Sequence, residues 1–137
     1  MDVVMRQRLH HIHAVHWFYL QLWRGETAEM RDASTFKDLL EIHAWAREGH
    51  SKVREYLDGA EESSLSRHIE FPWKEQLTQF FGVLRPVTFS ESVLQLASHS
   101  THHRGQVSAR LRDLGGEPPI TDFVAWIWAG KPAAVWS

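Results

Sequence analysis

The feature that most constrains this chain is a stretch near its start in which apolar side chains recur with the period of an α-helix. Residues 3–23 contain no proline and no glycine. Apolar residues spaced three and four apart form one stripe on a helix, and that stripe must be buried against a partner element. The stripe consists of Leu9, Ile12, Val15, Phe18, Tyr19 and Leu22. Gly25 follows, as is typical of a helix end, so the pattern predicts a long packed helix.

A second helix is predicted over residues 34–57, where apolar side chains again recur with helical spacing. Ser34 is the expected N-cap, because a serine side chain can accept an N–H that the first turn leaves unpaired. Gly59 ends the pattern. Residues 60–87 mix alternating apolar residues with two prolines and a glycine. This mixture predicts an irregular connection or a short β-hairpin.

A third helix is predicted from about residue 88, with Ser90 as its N-cap, to the pair of glycines at 115 and 116. The stretch TDFVAWIWAG, residues 121–130, predicts a short last helix. We expect its apolar side chains to pack back onto the longer helices, and these side chains are Phe123, Trp126 and Ile127. The elements together predict an all-α fold built as a helical bundle.

Length and composition limit the functions that this chain can have. At 137 residues, one domain over residues 1–137 is expected. The formal net charge of −2 gives no electrostatic footprint for nucleic acid. No apolar stretch has the roughly 20 residues that span a bilayer, and the start lacks a signal-peptide pattern. The chain has no cysteine, so no protein thiol can act as nucleophile or ligand. We expect a cytoplasmic location without membrane or nucleic-acid partners.

Histidine is the compositional outlier, with ten residues in the chain. His99 and His103 are four apart on the predicted third helix, a spacing that puts two imidazoles on one face within reach of one metal ion. His102 is one position off and points elsewhere on that helix. A catalytic metal site needs a third protein ligand, and without cysteine it must be histidine or a carboxylate. The first helix offers candidates, but periodicity does not choose among His10, His11, His13 and His16.

The stretch LASHSTHHRGQVSARLRDLGGEPPITDFVAWIW, residues 96–128, resembles the signature of the DinB superfamily of metal-binding four-helix bundles. That signature has a His-x-x-x-His-Arg-Gly-Gln-Val stretch, then Leu-x-x-x-Gly, Pro-Pro and a start to the tail like Asp-Phe. The stretch LHHIHAVHWFYLQLWRGE resembles the family's second helix with its Leu-x-His-Ile pattern. The stretch FKDLLEIHAWAREGHSKVREYLDG resembles its third helix, so the resemblance covers nearly all of the chain.

The resemblance implies a triad of metal ligands formed by His11, His99 and His103. It implies that His10 and His13 are exposed. His16 stands where the family often has a carboxylate, and it is expected to lie beside the site or to serve as an extra ligand.

Two further expectations concern the residues that follow His103. We expect Arg104 to pair with a carboxylate such as Asp122, and Gly105 to allow close helix packing. Catalytic roles for Arg104 and Gln106 are the less favoured reading.

The resemblance also implies a divalent ion, for which three nitrogen ligands leave Zn, Ni, Co, Fe or Mn open. Characterised relatives include transferases and isomerases in which the metal activates a low-molecular-weight thiol such as bacillithiol or mycothiol. The first hypothesis is therefore a metal-dependent thiol S-transferase that acts on a small molecule. The alternatives are a hydrolase that uses metal-bound hydroxide and a non-catalytic metal-binding stress-response protein.

Family members usually have a complete helix before the helix with the Leu-x-His-Ile pattern, and only a few residues precede it here. Most of the family's first helix is therefore expected to be missing. Three long helices would then expose an apolar groove, which is a liability in water. We expect a homodimer or a higher homo-oligomer in which a partner covers this groove.

Overall fold

The computed structural model describes residues 2–136 and is mostly helical. Its α-helices are α1 (Val3–Arg24), α2 (Leu39–Asp58), α3 (Lys74–Phe81), α4 (Phe89–Asp113) and α5 (Phe123–Trp128), and its strands are β1 (His68–Ile69) and β2 (Val87–Thr88). The expected all-α fold is confirmed. The two strands pair antiparallel, with His68 opposite Thr88, so the short β-element expected before the last long helix is also confirmed.

The helix ends follow from local side-chain chemistry. The Asp2 carboxylate accepts the Met5 N–H at the start of α1, and Gly25 ends that helix in the left-handed region at φ 69°. At the start of α4, the Thr88 hydroxyl accepts the Glu91 N–H while the Glu91 carboxylate accepts the Thr88 N–H. This reciprocal cap fixes where α4, the helix that carries His99 and His103, begins.

Three local predictions were wrong. Asp38, rather than Ser34, caps α2, because residues 33–35 form a short 3-10 turn of their own. Thr88 caps α4 in place of Ser90, since Thr88 has the extended backbone that a cap needs. The connection over residues 60–87 contains α3, which the sequence pattern did not predict.

α1 lies at the centre, with α2 on one side and α4 on the other. It runs antiparallel to α4, because Asp2 pairs with Arg110 near one end and the Trp23 indole donates to the Ser92 hydroxyl near the other. It runs parallel to α2, because the connection over residues 25–38 returns the chain to the beginning of α1. There the Arg6 guanidinium donates to two carbonyls of that connection.

One cluster of the core lies mainly between α1 and α4. It consists of Val15, Tyr19, Leu20, Leu22, Trp23, Val53, Ile69, Phe89 and Leu96. The Trp23 indole N–H is buried and is satisfied by Ser92 at 2.8 Å, so this large ring is held without an unpaired polar atom. The close packing fixes α4 on α1 and thereby sets which histidines of the two helices meet.

α5 differs from the prediction. Phe123, Trp126 and Ile127 were expected to pack onto the long helices, but their side chains are exposed. α5 lies beside the outer face of α4, the face turned away from α1, with a large cavity between them. Further along, the Trp136 ring lies between the rings of His43 and His50 on α2, 5.4 Å from each. Among residues 2–136, no helix has the length and apolar character that crossing a bilayer requires.

Candidate metal centre

Three imidazoles meet where α1 packs on α4. His11 comes from α1, and His99 and His103 come from successive turns of α4. The Nε2 atom of His99 lies 3.2 Å from Nε2 of His11 and 3.1 Å from Nε2 of His103. One ring nitrogen from each residue lies within 4.8 Å of the others. Within residues 2–136 these three form the one cluster of histidine or acidic side chains that meets this spacing.

The spacing of the nitrogens fits a single small cation. Imidazole nitrogens bind zinc and similar ions at about 2.0–2.1 Å, so two ligands of one ion are separated by about 3 Å or slightly more. The separations of 3.1 and 3.2 Å agree with this requirement. Without a cation, neutral rings would bring nitrogen lone pairs together, with few protons to share among them. The three imidazole nitrogens are therefore arranged as the ligands of a single metal ion would be.

Gln106 fixes the orientation of one of these rings. Nδ1 of His103 lies 2.8 Å from the Gln106 side-chain oxygen, which can only accept, so Nδ1 carries the proton. Nε2 is then left with its lone pair directed toward the other two rings. The Gln106 amide nitrogen lies 3.0 Å from Nε2 of His102 and donates to it. Outer hydrogen bonds of this kind set the tautomer of a histidine ligand and raise its basicity.

Burial keeps two of the three rings, those of His11 and His99, neutral. Burial, followed by the neighbouring rings of His103 and His11, lowers the pKa of His99 to about 4. The pKa of His11 is lowered by burial first and then by His103 and His10. Both rings are therefore neutral at pH 7, the state in which an imidazole binds metal. Nδ1 of His99 is buried without a hydrogen-bond partner, so this ring is held by packing.

The other histidines of α1 do not join the cluster. His10 was expected to be exposed, but it is buried: its ring stacks on Trp45 at 5.4 Å and its Nε2 lies 2.8 Å from the Arg31 carbonyl. His13 was also expected to be exposed and is half-buried. The Nδ1–H of His16 donates to the Ile12 carbonyl, and the His16 ring lines a cavity between α2 and α4. His16 therefore does not act as an extra ligand in this structure.

Two expectations about the residues after His103 were wrong. Arg104 does not pair with Asp122; its guanidinium donates to the Thr101 hydroxyl at 3.0 Å, and the ion pairs found in residues 2–136 do not include it. Gly105 does not serve close packing, because a Cβ atom built there would meet nothing within 4 Å. The outer face of α4 is open at these positions.

The sequence pattern did not decide the role of Gln106. Its spacing of three from His103 puts the two side chains together on one helix, which is a signal that the sequence does contain. The same spacing also suits an ordinary surface pair, so it could not decide the matter. The contact between Gln106 and Nδ1 of His103 shows that Gln106 orients a clustered histidine and is not an ordinary surface residue.

Comparison with known proteins agrees with this geometry. The family model described as the DinB family matches residues 3–133, which is nearly the whole chain. The matched range contains all three clustered histidines and Gln106. A search of curated proteins gave no match.

Proposed function

Because the chain belongs to the DinB family, we propose that His11, His99 and His103 hold one divalent transition-metal ion and that the bound ion serves a thiol S-transfer reaction. The observation that carries the proposal is the convergence of three imidazole nitrogens at 3.1 and 3.2 Å. Three protein ligands are what catalytic metal sites commonly supply, which leaves a position for a further ligand.

The ligand set determines what chemistry a bound ion supplies. Three neutral imidazoles bring no negative charge, so the ion keeps its charge of about +2 and lowers the pKa of a thiol bound to it. Zn, Ni, Co, Fe and Mn all accept such a set. The part of the protein itself is to hold three rings in place: Gln106 orients His103, and packing between α1 and α4 orients the other two.

The thiol comes from outside the chain, because the sequence contains no cysteine. In the proposed reaction the sulfur of a low-molecular-weight thiol forms a bond to an electrophilic carbon of a small-molecule substrate. The leaving group departs from that carbon with its bonding electron pair, and the thiol proton passes to solvent. No oxidant or reductant is needed. Thiolates are far better nucleophiles than thiols, which is why lowering the thiol pKa at neutral pH would accelerate the reaction.

Metal content tests the first half of the proposal. Elemental mass spectrometry of the tag-free protein is expected to give about one ion per chain. His99→Ala is expected to give almost none, while His68→Ala, which removes an exposed histidine of β1, retains the wild-type value. Because a chain with ten histidines can take up metal adventitiously, the difference between the two variants is decisive. Equal content in both would contradict the proposed ligands.

A turnover assay tests the second half. The metal-loaded and metal-free proteins are mixed with a small thiol and 1-chloro-2,4-dinitrobenzene, and formation of the thioether is followed by absorbance. We expect turnover above the uncatalysed rate only with the metal-loaded wild type, and none with His99→Ala. A stoichiometric metal without any turnover across several thiols and electrophiles would leave metal binding in place and contradict the transferase.

A further inference from the structure

A second cavity, which we call the α2–α4 cavity, lies between those two helices. Both helices pack mainly on α1 and much less on each other, so a space of about 400 Å³ remains between them. Most of its wall is apolar and is formed by Val53, Leu57, Val93, Leu96 and Ala97. Ligand sites for small molecules have volumes of about 300–1,000 Å³ and walls of this apolar kind. The cavity therefore has the size and the lining of a small-molecule site.

One polar atom in the wall of this cavity has a defined hydrogen-bonding role. Nδ1 of His16 lies 2.7 Å from the Ile12 carbonyl oxygen, which can only accept, so Nδ1 carries the proton. Nε2 then has the lone pair, and it points away from the α1 backbone toward the cavity that the ring lines. Burial is the largest of the effects that lower the pKa of His16, so the ring is neutral at pH 7. Within residues 2–136 the bond to Ile12 is the one hydrogen bond found for this ring, so Nε2 can accept from a ligand.

The charged side chains of the α2–α4 cavity compensate each other. Arg54 and Asp58 lie one helical turn apart on α2, with 3.6 Å between a guanidinium nitrogen and a carboxylate oxygen, and both are exposed. The cavity is also lined by His50, whose ring packs 5.4 Å from the Trp136 ring. A charged molecule that entered the cavity would lose its hydration and gain no free opposite charge from these residues. The lining therefore favours an uncharged ligand.

We propose that the α2–α4 cavity binds an uncharged aromatic alcohol or phenol of one or two rings, whose hydroxyl group donates to Nε2 of His16. An apolar protein cavity of about 150 Å³ holds benzene, so a cavity of about 400 Å³ accommodates two fused rings. The apolar walls bury the rings, and His16 supplies the acceptor that the hydroxyl needs. A hydrocarbon of the same shape would cover Nε2 and leave it unpaired, which costs free energy. This single atom therefore selects alcohols over hydrocarbons.

The ligand site lies near the metal centre, because the ring of His16 is one of the groups that lower the pKa of His99. Binding through His16 requires no metal ion, so the inference is independent of the S-transfer reaction proposed above. A hydroxyl group can also bind a metal ion directly through its oxygen. The test therefore uses the metal-free protein, in which binding cannot be attributed to an ion.

Equilibrium dialysis of the metal-free, tag-free protein with 2-naphthol and with naphthalene tests the proposal. We expect one 2-naphthol to bind per chain. The ratio of the naphthalene Kd to the 2-naphthol Kd isolates the hydroxyl group, because the two molecules have the same rings. His16→Phe removes the acceptor and keeps a ring, so this ratio is expected to fall about tenfold. 2-Naphthoate, which carries a negative charge on the same rings, is expected to bind at least about tenfold more weakly than 2-naphthol.

Two further variants separate the acceptor from the cavity. His68→Phe makes the same change at an exposed histidine of β1 and is expected to leave the ratio unchanged. Val93→Trp places a large ring in the cavity and is expected to weaken binding of both molecules at least about tenfold. Circular dichroism confirms that each variant is folded. An unchanged ratio in His16→Phe would overturn the proposal, as would tighter binding of 2-naphthoate than of 2-naphthol, or a wild type that binds no 2-naphthol up to its solubility limit.

Discussion

The two faces of α4 have opposite characters. The inner face, which packs on α1, buries Phe89, Ser92, Leu96 and Ser100, and it holds His99 and His103 against His11. The outer face carries small and exposed side chains beside a cavity of about 1330 Å³. The difference shows how one helix can serve two purposes. Close packing on one side fixes atoms to within a few tenths of an ångström, as a metal site requires, while an open side is free to bind another molecule.

The packed side is specified by contacts that reinforce one another. The ring of Phe89 meets Trp23 edge-on at 5.3 Å and Tyr56 at 5.9 Å. The Tyr56 hydroxyl donates to the Trp23 carbonyl, and Arg67 donates to both Tyr56 and Trp23. These contacts hold the start of α4 against the end of α1, and the histidine cluster lies two to three turns further along the same interface. The core contacts between α1 and α4 therefore position the histidine cluster.

The largest contrast between the two faces is expected from aromatic truncation. Phe89→Ala removes a fully buried ring and should lower the free energy of unfolding by about 4 kcal/mol, since it loses apolar burial and leaves a cavity. Trp128→Ala removes a larger ring from the exposed helix α5 and should change the free energy of unfolding of the monomer by at most about 0.5 kcal/mol. Urea unfolding at low protein concentration measures both values. Similar losses in the two variants would contradict the assignment of the core.

His13 of α1 is half-buried, and its burial makes the fold sensitive to acid. Burial, followed by the neighbouring rings of His16 and His50, lowers the pKa of His13 from its ordinary value of 6.5 to about 4. Between pH 6.5 and 4 the unfolded chain binds a proton that the folded chain does not, so stability falls as the pH falls through this window. The loss from this residue is at most about 3 kcal/mol.

This pH dependence is measured by thermal unfolding of the metal-free protein between pH 7.5 and pH 4.5. His13→Leu cannot be protonated and should show a smaller decrease in stability over that range. His68→Leu, at an exposed position, should decrease as the wild type does. An unchanged slope in His13→Leu would show that other groups cause the acid sensitivity.

Alanine substitutions at two glycines test how closely the interior and the outer face are packed. A Cβ atom at Gly49 would lie 2.5 Å from the Trp17 indole nitrogen, so Gly49→Ala should destabilise the protein by about 2 kcal/mol. At Gly105 the same methyl group meets nothing, and alanine is the better helix former, so Gly105→Ala should stabilise the monomer by about 0.5–1 kcal/mol. Thermal unfolding of the two variants should therefore shift in opposite directions. Equal destabilisation would mean that the outer face is closely packed.

The smallest expected effect concerns the residue that orients the histidine cluster. Gln106→Leu removes the acceptor for Nδ1 of His103 and should weaken metal binding about tenfold without changing the number of ions bound at saturation. Gln106→Glu, which retains an acceptor at the same position, should restore most of the affinity. Competition with a coloured chelator measures both. An affinity unchanged in Gln106→Leu would show that His103 is oriented by packing alone.

Much of this architecture could be read from local patterns. Apolar periodicity predicted α1 almost to the residue and α4 to within about two residues, but α2 begins at Leu39, five residues later than predicted. The spacing of four between His99 and His103 indicated a shared face. These features depend on residues that are neighbours along one helix, where geometry is fixed by the backbone alone.

The failures fall where local sequence is ambiguous. α3 was missed because its apolar residues stand between two prolines, and short segments of this kind suit several conformations. α5 was predicted as a helix but wrongly placed in the core, because an amphipathic stretch does not reveal what its apolar side chains contact. The buried state of His10 depends on a stack with Trp45, which lies 35 positions further along the chain.

By itself, then, the sequence determined that the protein is a helical bundle and that two imidazoles of α4 share one face, because both follow from periodicity within a helix. The choice of His11 from four histidines of α1 rested on family resemblance until the tertiary structure brought its Nε2 within 3.2 Å of His99. Only the tertiary structure decided that Arg104 and Asp122 are not paired and that the outer face of α4 is open. These facts depend on how separate helices approach one another, and that approach is set by packing over the whole core and not by any single stretch of sequence.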